Sequence, residues 1–158
     1  MKIAIGSDHA AFALKEIVKK HLIDSGHQVE DMGTNSPERT DYPIYGEKVA
    51  RAVVSGRVKY GVVICGTGAG ISISANKIHG VRCVLASEPY TAVLSRQHND
   101  ANMLAMGARV VGEGLACMIV DQFLAAEFEG GRHADRVAMI TKLDDNRESH
   151  DPILYQEP

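Results

Sequence analysis

The chain has 158 residues, of which 45% are hydrophobic and 23% charged, with a formal net charge of −3 at neutral pH. That is the ordinary make-up of one globular domain with a single sizeable core. It excludes a basic footprint for nucleic acid, and no apolar run reaches the ~18 residues of a membrane span.

The N-terminus, MKIAIGSDHAAF, turns polar too soon for a signal peptide, and its apolar part reads as a first strand over residues 2–6. A helix follows over 10–25, with Phe12, Leu14, Ile17, Val18 and Leu22 at apolar spacing and Gly26 closing it. Residues 27–32 form a second strand, and GTNSPERTDYP has the punctuation of a loop. A helix over 45–55 ends at Gly56, and YGVVIC (60–65) is the clearest strand, β-branched and flanked by glycines. A short helix over 70–77, a strand over 81–86 and a helix over 89–97 opened by Pro89 come next. Residues 103–106 and 108–111 supply a last strand region, and 112–128 a helix with Leu115, Met118, Ile119, Phe123 and Leu124 turned inward. Another helix begins near residue 132, and from 144 the chain becomes a polar tail, either a frayed end or an arm on a neighbouring subunit. Alternating β and α elements with wholly apolar strands predict a parallel sheet covered on both faces. Ligands bind such sheets at the carboxyl ends of strands where the strand order reverses. Two strands here end in polar groups, SDH after the first and CGTG after the third.

Three cysteines, at 65, 83 and 117, are odd in number and form no C-x-x-C pair, which argues against a disulfide framework or a zinc site and for a reducing cytoplasm. Cys83 and Cys117 sit in apolar patterns and read as core. Cys65 opens the run Gly66-Thr67-Gly68-Ala69-Gly70, a turn whose amides form an anion site at a helix start. It is neither a Walker A loop nor a dinucleotide fingerprint, since Gly70 is not followed by Lys and Ser or Thr and the first βα turn lies elsewhere. A helix start beside a thiol favours the thiolate; a buried structural thiol is the other reading. Asp8 and His9 follow the first strand, where Asp suits a sugar hydroxyl and His an anion, or where Asp8 simply caps the next helix. His98, leaving a helix beside Asn99, is an acid–base at neutral pH or a solvated loop histidine. Arg132 and Arg136, at i and i+4, make a fork for a phosphate or a solvated salt-bridging face. Arg109 lies in an apolar stretch, where a charge requires an anion or a buried carboxylate.

Taken together, SDHAAFALK, RTDYP, ICGTGAGISISANK, SEPYTAVLSRQHNDANMLAMGARVVG and EGGRHADRV resemble the ribose-5-phosphate isomerase B family, which also holds the galactose-6-phosphate and allose-6-phosphate isomerases. The resemblance runs in order over residues 1–143, one isomerase domain, and leaves out the tail at 144–158. It implies a Rossmann-like αβα sandwich with a five-stranded parallel sheet and no nucleotide. It also implies dimers or dimers of dimers, with the C-terminal helix on the partner and the sites at the interface. The implied reaction interconverts an aldose phosphate and a ketose phosphate through a cis-enediolate, without metal or organic cofactor, and the sequence itself has no His and carboxylate cluster at metal-ligand spacing.

The resemblance makes Cys65 the base. A second branch uses a glutamate just after the glycines, and that place here is Ile71. Gly66, Gly68, Ala69 and Gly70 would steady the enediolate oxygen, Thr67 assist at the substrate oxygens, His98 open the sugar ring, and Asn99 and Asp8 hold hydroxyls. His9, Arg132 and Arg136 match phosphate ligands, Arg109 and Tyr42 line the site, and His133 shapes the pocket. Ribose 5-phosphate is the expected substrate, with allose or galactose 6-phosphate as alternatives. A non-catalytic phosphate-binding module would have no use for Cys65 together with His98. A cysteine phosphatase would require an arginine where Ile71 stands.

Overall fold

In the computed structural model, which describes residues 1–146, the chain forms strands β1 (Lys2–Ser7), β2 (Gln28–Asp31), β3 (Tyr60–Cys65), β4 (Cys83–Leu85) and β5 (Met103–Gly107). Between and after them come helices α1 (Phe12–Asp24), α2 (Tyr42–Val54), α3 (Ala69–Ala75), α4 (Pro89–Asn99), α5 (Glu113–Ala125) and α6 (Arg132–Asp145). The five strands are all parallel, in the order β2-β1-β3-β5-β4. The strand order therefore reverses between β1 and β3, and the two polar strand ends flagged in the sequence lie side by side there.

Successive side chains of a strand point to opposite faces, so the wholly apolar strands feed two cores. Ile3, Ile5, Val62, Ile64, Leu104 and Met106 pack with α1, α4 and α5. Ala4, Val63, Met103 and Ala105 pack on the opposite face with α2 and α3. The result is the expected three-layer, Rossmann-like αβα sandwich. Register fixes which residues share an edge: Gly61 pairs with Met103 and Cys65 with Gly107, while Ser7 pairs with Ile64.

Four expectations need correction. Residues 108–111 are not strand: β5 stops at Gly107, and the Val110 and Val111 amides donate back to the Gly107 carbonyl in a turn. Arg109 is exposed in that turn. Leu115 and Met118 on α5 face outward, 37% and 53% exposed, and Cys117 beside them is half-buried, not core. α2 begins at Tyr42, with Pro43 in its first turn where no N–H is needed. α6 runs to Asp145 with Asn146 as its cap, and residues 147–158 of the tail expected from 144 lie outside the described residues.

Candidate active site

At the carboxyl edge, the Asp8 amide donates to the Ile64 carbonyl at 3.3 Å, which sets the first βα turn against the end of β3. Asp8 is buried, and its carboxylate caps the 3-10 turn His9–Ala11 by accepting from the Ala11 amide at 3.3 Å. The capping reading of Asp8 is therefore correct. His9 Nδ1 lies 3.0 Å from the Thr40 carbonyl and 3.2 Å from its amide. Either tautomer has a partner there, which leaves Nε2 for a ligand. Thr40 comes from the loop before α2, and its hydroxyl bonds the Tyr45 hydroxyl at 3.0 Å.

Cys65 is 4% exposed, and the Gly68 amide donates to its sulfur at 3.2 Å. Gly68 has φ +80, and a Cβ there would lie 2.5 Å from Leu85 and 2.7 Å from the Met106 backbone, so the turn admits glycine alone. Thr67 and Ala69 are exposed at the tip of the turn. Tyr42 covers the turn from the side, its ring 2.6 Å from where a Cβ on Gly70 would stand. Arg109 closes the opposite side: its amide donates to the Gly66 carbonyl at 3.0 Å, and its guanidinium lies over Gly66. Ile71 is fully buried in the α2–α3 core. The other two thiols are different. Burial pushes Cys83 up to about 12, and burial, then Asp121 and Glu113, raises Cys117.

His98, Asn99, Arg132 and Arg136 are not part of this cluster. α4 leads from β4 into the start of β5, so its last residues stand at the amino edge of the sheet. There Arg96 donates to the Tyr60 hydroxyl at 2.8 Å, and the Asn99 and Asp100 carbonyls accept from Arg82 at 3.0 Å. Tyr60 and Cys65 are the two ends of β3, about 16 Å apart at ~3.3 Å per residue. The amino edge also holds a group that spacing did not reveal. His133, 6% exposed, stacks on His98 with centroids 4.1 Å apart and planes within 6°. Glu129 stands 3.9 Å from His98 and 3.7 Å from His133. Arg132 and Arg136, both exposed, flank the stack on the first turns of α6. The single chain thus holds the sequence-predicted site residues in two groups, at opposite edges of the sheet.

A polar strand-end cluster at the switch point of a parallel sheet marks an α/β protein of the class that binds ligands at that crevice. Residues 3–140 match the family described as Ribose/Galactose Isomerase, and the chain belongs to that family. It is 58% identical to ribose-5-phosphate isomerase B of Escherichia coli over 146 residues, 92% of this chain and 98% of that one. Among solved structures, ribose-5-phosphate isomerase B of Clostridium thermocellum superposes with a TM-score of 0.92 at 52% identity, covering 94% of this chain and 100% of that one. The Mycoplasma genitalium enzyme, solved with bound ribulose 5-phosphate, gives 0.87 at 40% identity over 91% and 96% of the two chains.

Proposed function

We propose that the protein is an aldose–ketose isomerase that interconverts D-ribose 5-phosphate and D-ribulose 5-phosphate, working without a cofactor as a cytoplasmic homodimer or dimer of dimers. The observation that carries the reading is the Gly68 amide on the Cys65 sulfur, at the switch point of a chain that shares the E. coli enzyme's sequence nearly end to end. Cys65 as thiolate takes the proton from C2 of the open-chain aldose. Electrons move from the C2–H bond into the C1 carbonyl, and the amides of Gly66, Gly68, Ala69 and Gly70 hold the resulting enediolate oxygen. The proton returns at C1 while the C2 hydroxyl gives its own to O1, with Thr67 assisting, so no redox partner is consumed. Asp8 and Tyr42 hold the sugar; His9 and Arg109 receive its phosphate end.

His98 supplies ring opening and Asn99 a hydroxyl contact, while Arg132 and Arg136 complete the phosphate site. Because a single chain keeps these at the other edge, they reach Cys65 from a second copy. In a two-fold dimer the carboxyl edge of one subunit meets the amino edge of the other, twice. Exposed Met139, Ile140 and Leu143 on α6 give that helix an apolar face for the partner. Among the described residues no helix is long and apolar enough to cross a membrane, and the cysteines at 65, 83 and 117 are free, as suits the cytoplasm.

The test is steady-state kinetics with ribose 5-phosphate, allose 6-phosphate and galactose 6-phosphate. The reading predicts the highest kcat/KM on ribose 5-phosphate; a hexose phosphate turned over better would reassign the substrate.

A further inference from the structure

His133 and Glu129 have no task in the isomerisation, yet they are built around His98. The Glu129 amide donates to the Gln97 carbonyl at 3.0 Å, which ties the turn before α6 to the end of α4. The His133 amide donates to the Gly130 carbonyl at 3.0 Å within that turn. Both imidazole Nε2 atoms stand within 4 Å of the same carboxylate oxygen, Glu129 Oε2. Among the described residues this is a group whose ligand atoms lie within 4.8 Å of one another. Parallel imidazoles keep their lone pairs in parallel planes, and such lone pairs do not converge on one cation as tetrahedral coordination requires. Two bases stacked face to face before one carboxylate suit a shared proton instead.

We propose that His133 and Glu129 are positioning residues for His98: the stack fixes the plane of the His98 ring, and the three groups together retain one proton. The inference rests on the reading of His98 as the ring-opening acid–base. The charged groups that face the stack are Glu129 from the turn, Arg132 and Arg136 from α6, and His98 itself from α4. Glu129 favours a first proton on either ring. A second is opposed by the first across 4.1 Å and by the two arginines. Burial first, then His98 and Arg132, hold the His133 imidazole below the ordinary histidine range, so His133 meets His98 as a neutral ring. In the proposed arrangement the one proton is on His98, the ring that ring opening uses. His98 gives its proton to the ring oxygen as the C1–O bond breaks, and the anomeric hydroxyl returns one as the C1 carbonyl forms. The group ends with the proton it began with.

The test is an NMR titration of the histidine ring protons in the full chain, which has seven histidines, with His98→Asn to assign the signal. His133→Phe keeps the stacked ring and removes the competing base, so the His98 midpoint rises. Glu129→Gln keeps the shape and removes the charge, so the midpoint falls. Each shift is roughly half a unit to one unit, and the alkaline limb of kcat/KM on ribose 5-phosphate, where protonated His98 is lost, moves the same way. Glu129 is half-exposed, so Glu129→Gln decides the matter if His133→Phe does not fold. A His98 midpoint unmoved in the folded variants overturns the proposal, as does stoichiometric zinc binding that displaces the proton from both rings. If His98 is not the ring-opening group, His98→Asn keeps its turnover while the midpoint shifts persist, so the two failures are distinguishable.

Discussion

The Gly68 amide and the Cys65 sulfur are 3.2 Å apart across the third βα turn, with the amide as donor. That donor sits where the proposed role of Cys65 as the base needs one. Replacing Cys65 separates base from binding. In Cys65→Ala, kcat falls about 10²–10⁴-fold, while ribulose 5-phosphate still raises the melting temperature as it does in the parent. Cys65→Ser keeps an acceptor for the amide but not an acidic proton, and it shares the loss. A serine variant of near-parent rate would contradict the assignment.

Two glycines of the same turn respond differently to alanine. At Gly68 the left-handed backbone and the Met106 carbonyl carbon, 2.7 Å from the new Cβ, leave no room. Gly68→Ala costs about 3 kcal/mol of unfolding free energy. At Gly70 the obstacle is the Tyr42 ring, which is 40% exposed and free to swing. Gly70→Ala costs less than about 1 kcal/mol but moves Tyr42 off the site and raises KM. Denaturant melts and KM values for the two variants check the contrast.

Asp31 anchors the loop that reaches His9. It accepts from the fully buried Lys15 at 2.6 Å, from Lys19 at 2.7 Å and from the Gly33 amide at 2.9 Å. Burial pushes its carboxyl up, but these donors outweigh burial and hold it below the usual carboxylate range. A depressed folded-state value contributes stability above the unfolded value of about 3.9 and loses it as pH falls through the folded one. Unfolding free energy therefore declines below about pH 4. Asp31→Asn leaves the buried Lys15 with Glu16 as its remaining carboxylate at 2.9 Å, costs about 1–3 kcal/mol at pH 7, and shows a smaller further loss in acid. Melts at pH 7 and pH 3 measure both.

The sheet was legible in the sequence because its strands are buried on both faces and read as apolar runs; YGVVIC leaves no other option. The same logic misled at residues 108–111, where two valines come after a strand that has already ended. Leu115 and Met118 were placed inside because periodicity gives the apolar face of α5 but not its covering. The division of the site was present in the order of elements: residues just after a strand lie at the carboxyl edge, and residues just after a helix at the amino edge. By that rule Cys65 and His98 separate within one chain. The His98–His133–Glu129 group escaped because the turn at Gly130 and Gly131, both at positive φ, folds α6 back on α4, and no local spacing encodes that return.

In the proposed reading Arg132 and Arg136 act on the phosphate alone. Each alanine variant raises KM for ribose 5-phosphate about 10–100-fold, the worth of one charge-assisted bond, with kcat nearly unchanged. Unchanged KM in both would remove them from the site.

The central proposal is that one active site takes residues from two copies of the chain, and mixing inactive variants tests this directly. Cys65→Ala and His98→Asn are each inactive on ribose 5-phosphate alone. When the two are unfolded together and refolded, random pairing places one intact site in each mixed dimer. Activity then returns to about one quarter of the parent value. No recovery, with mixed dimers demonstrated by mass, would mean that Cys65 and His98 do not serve the same site from different subunits.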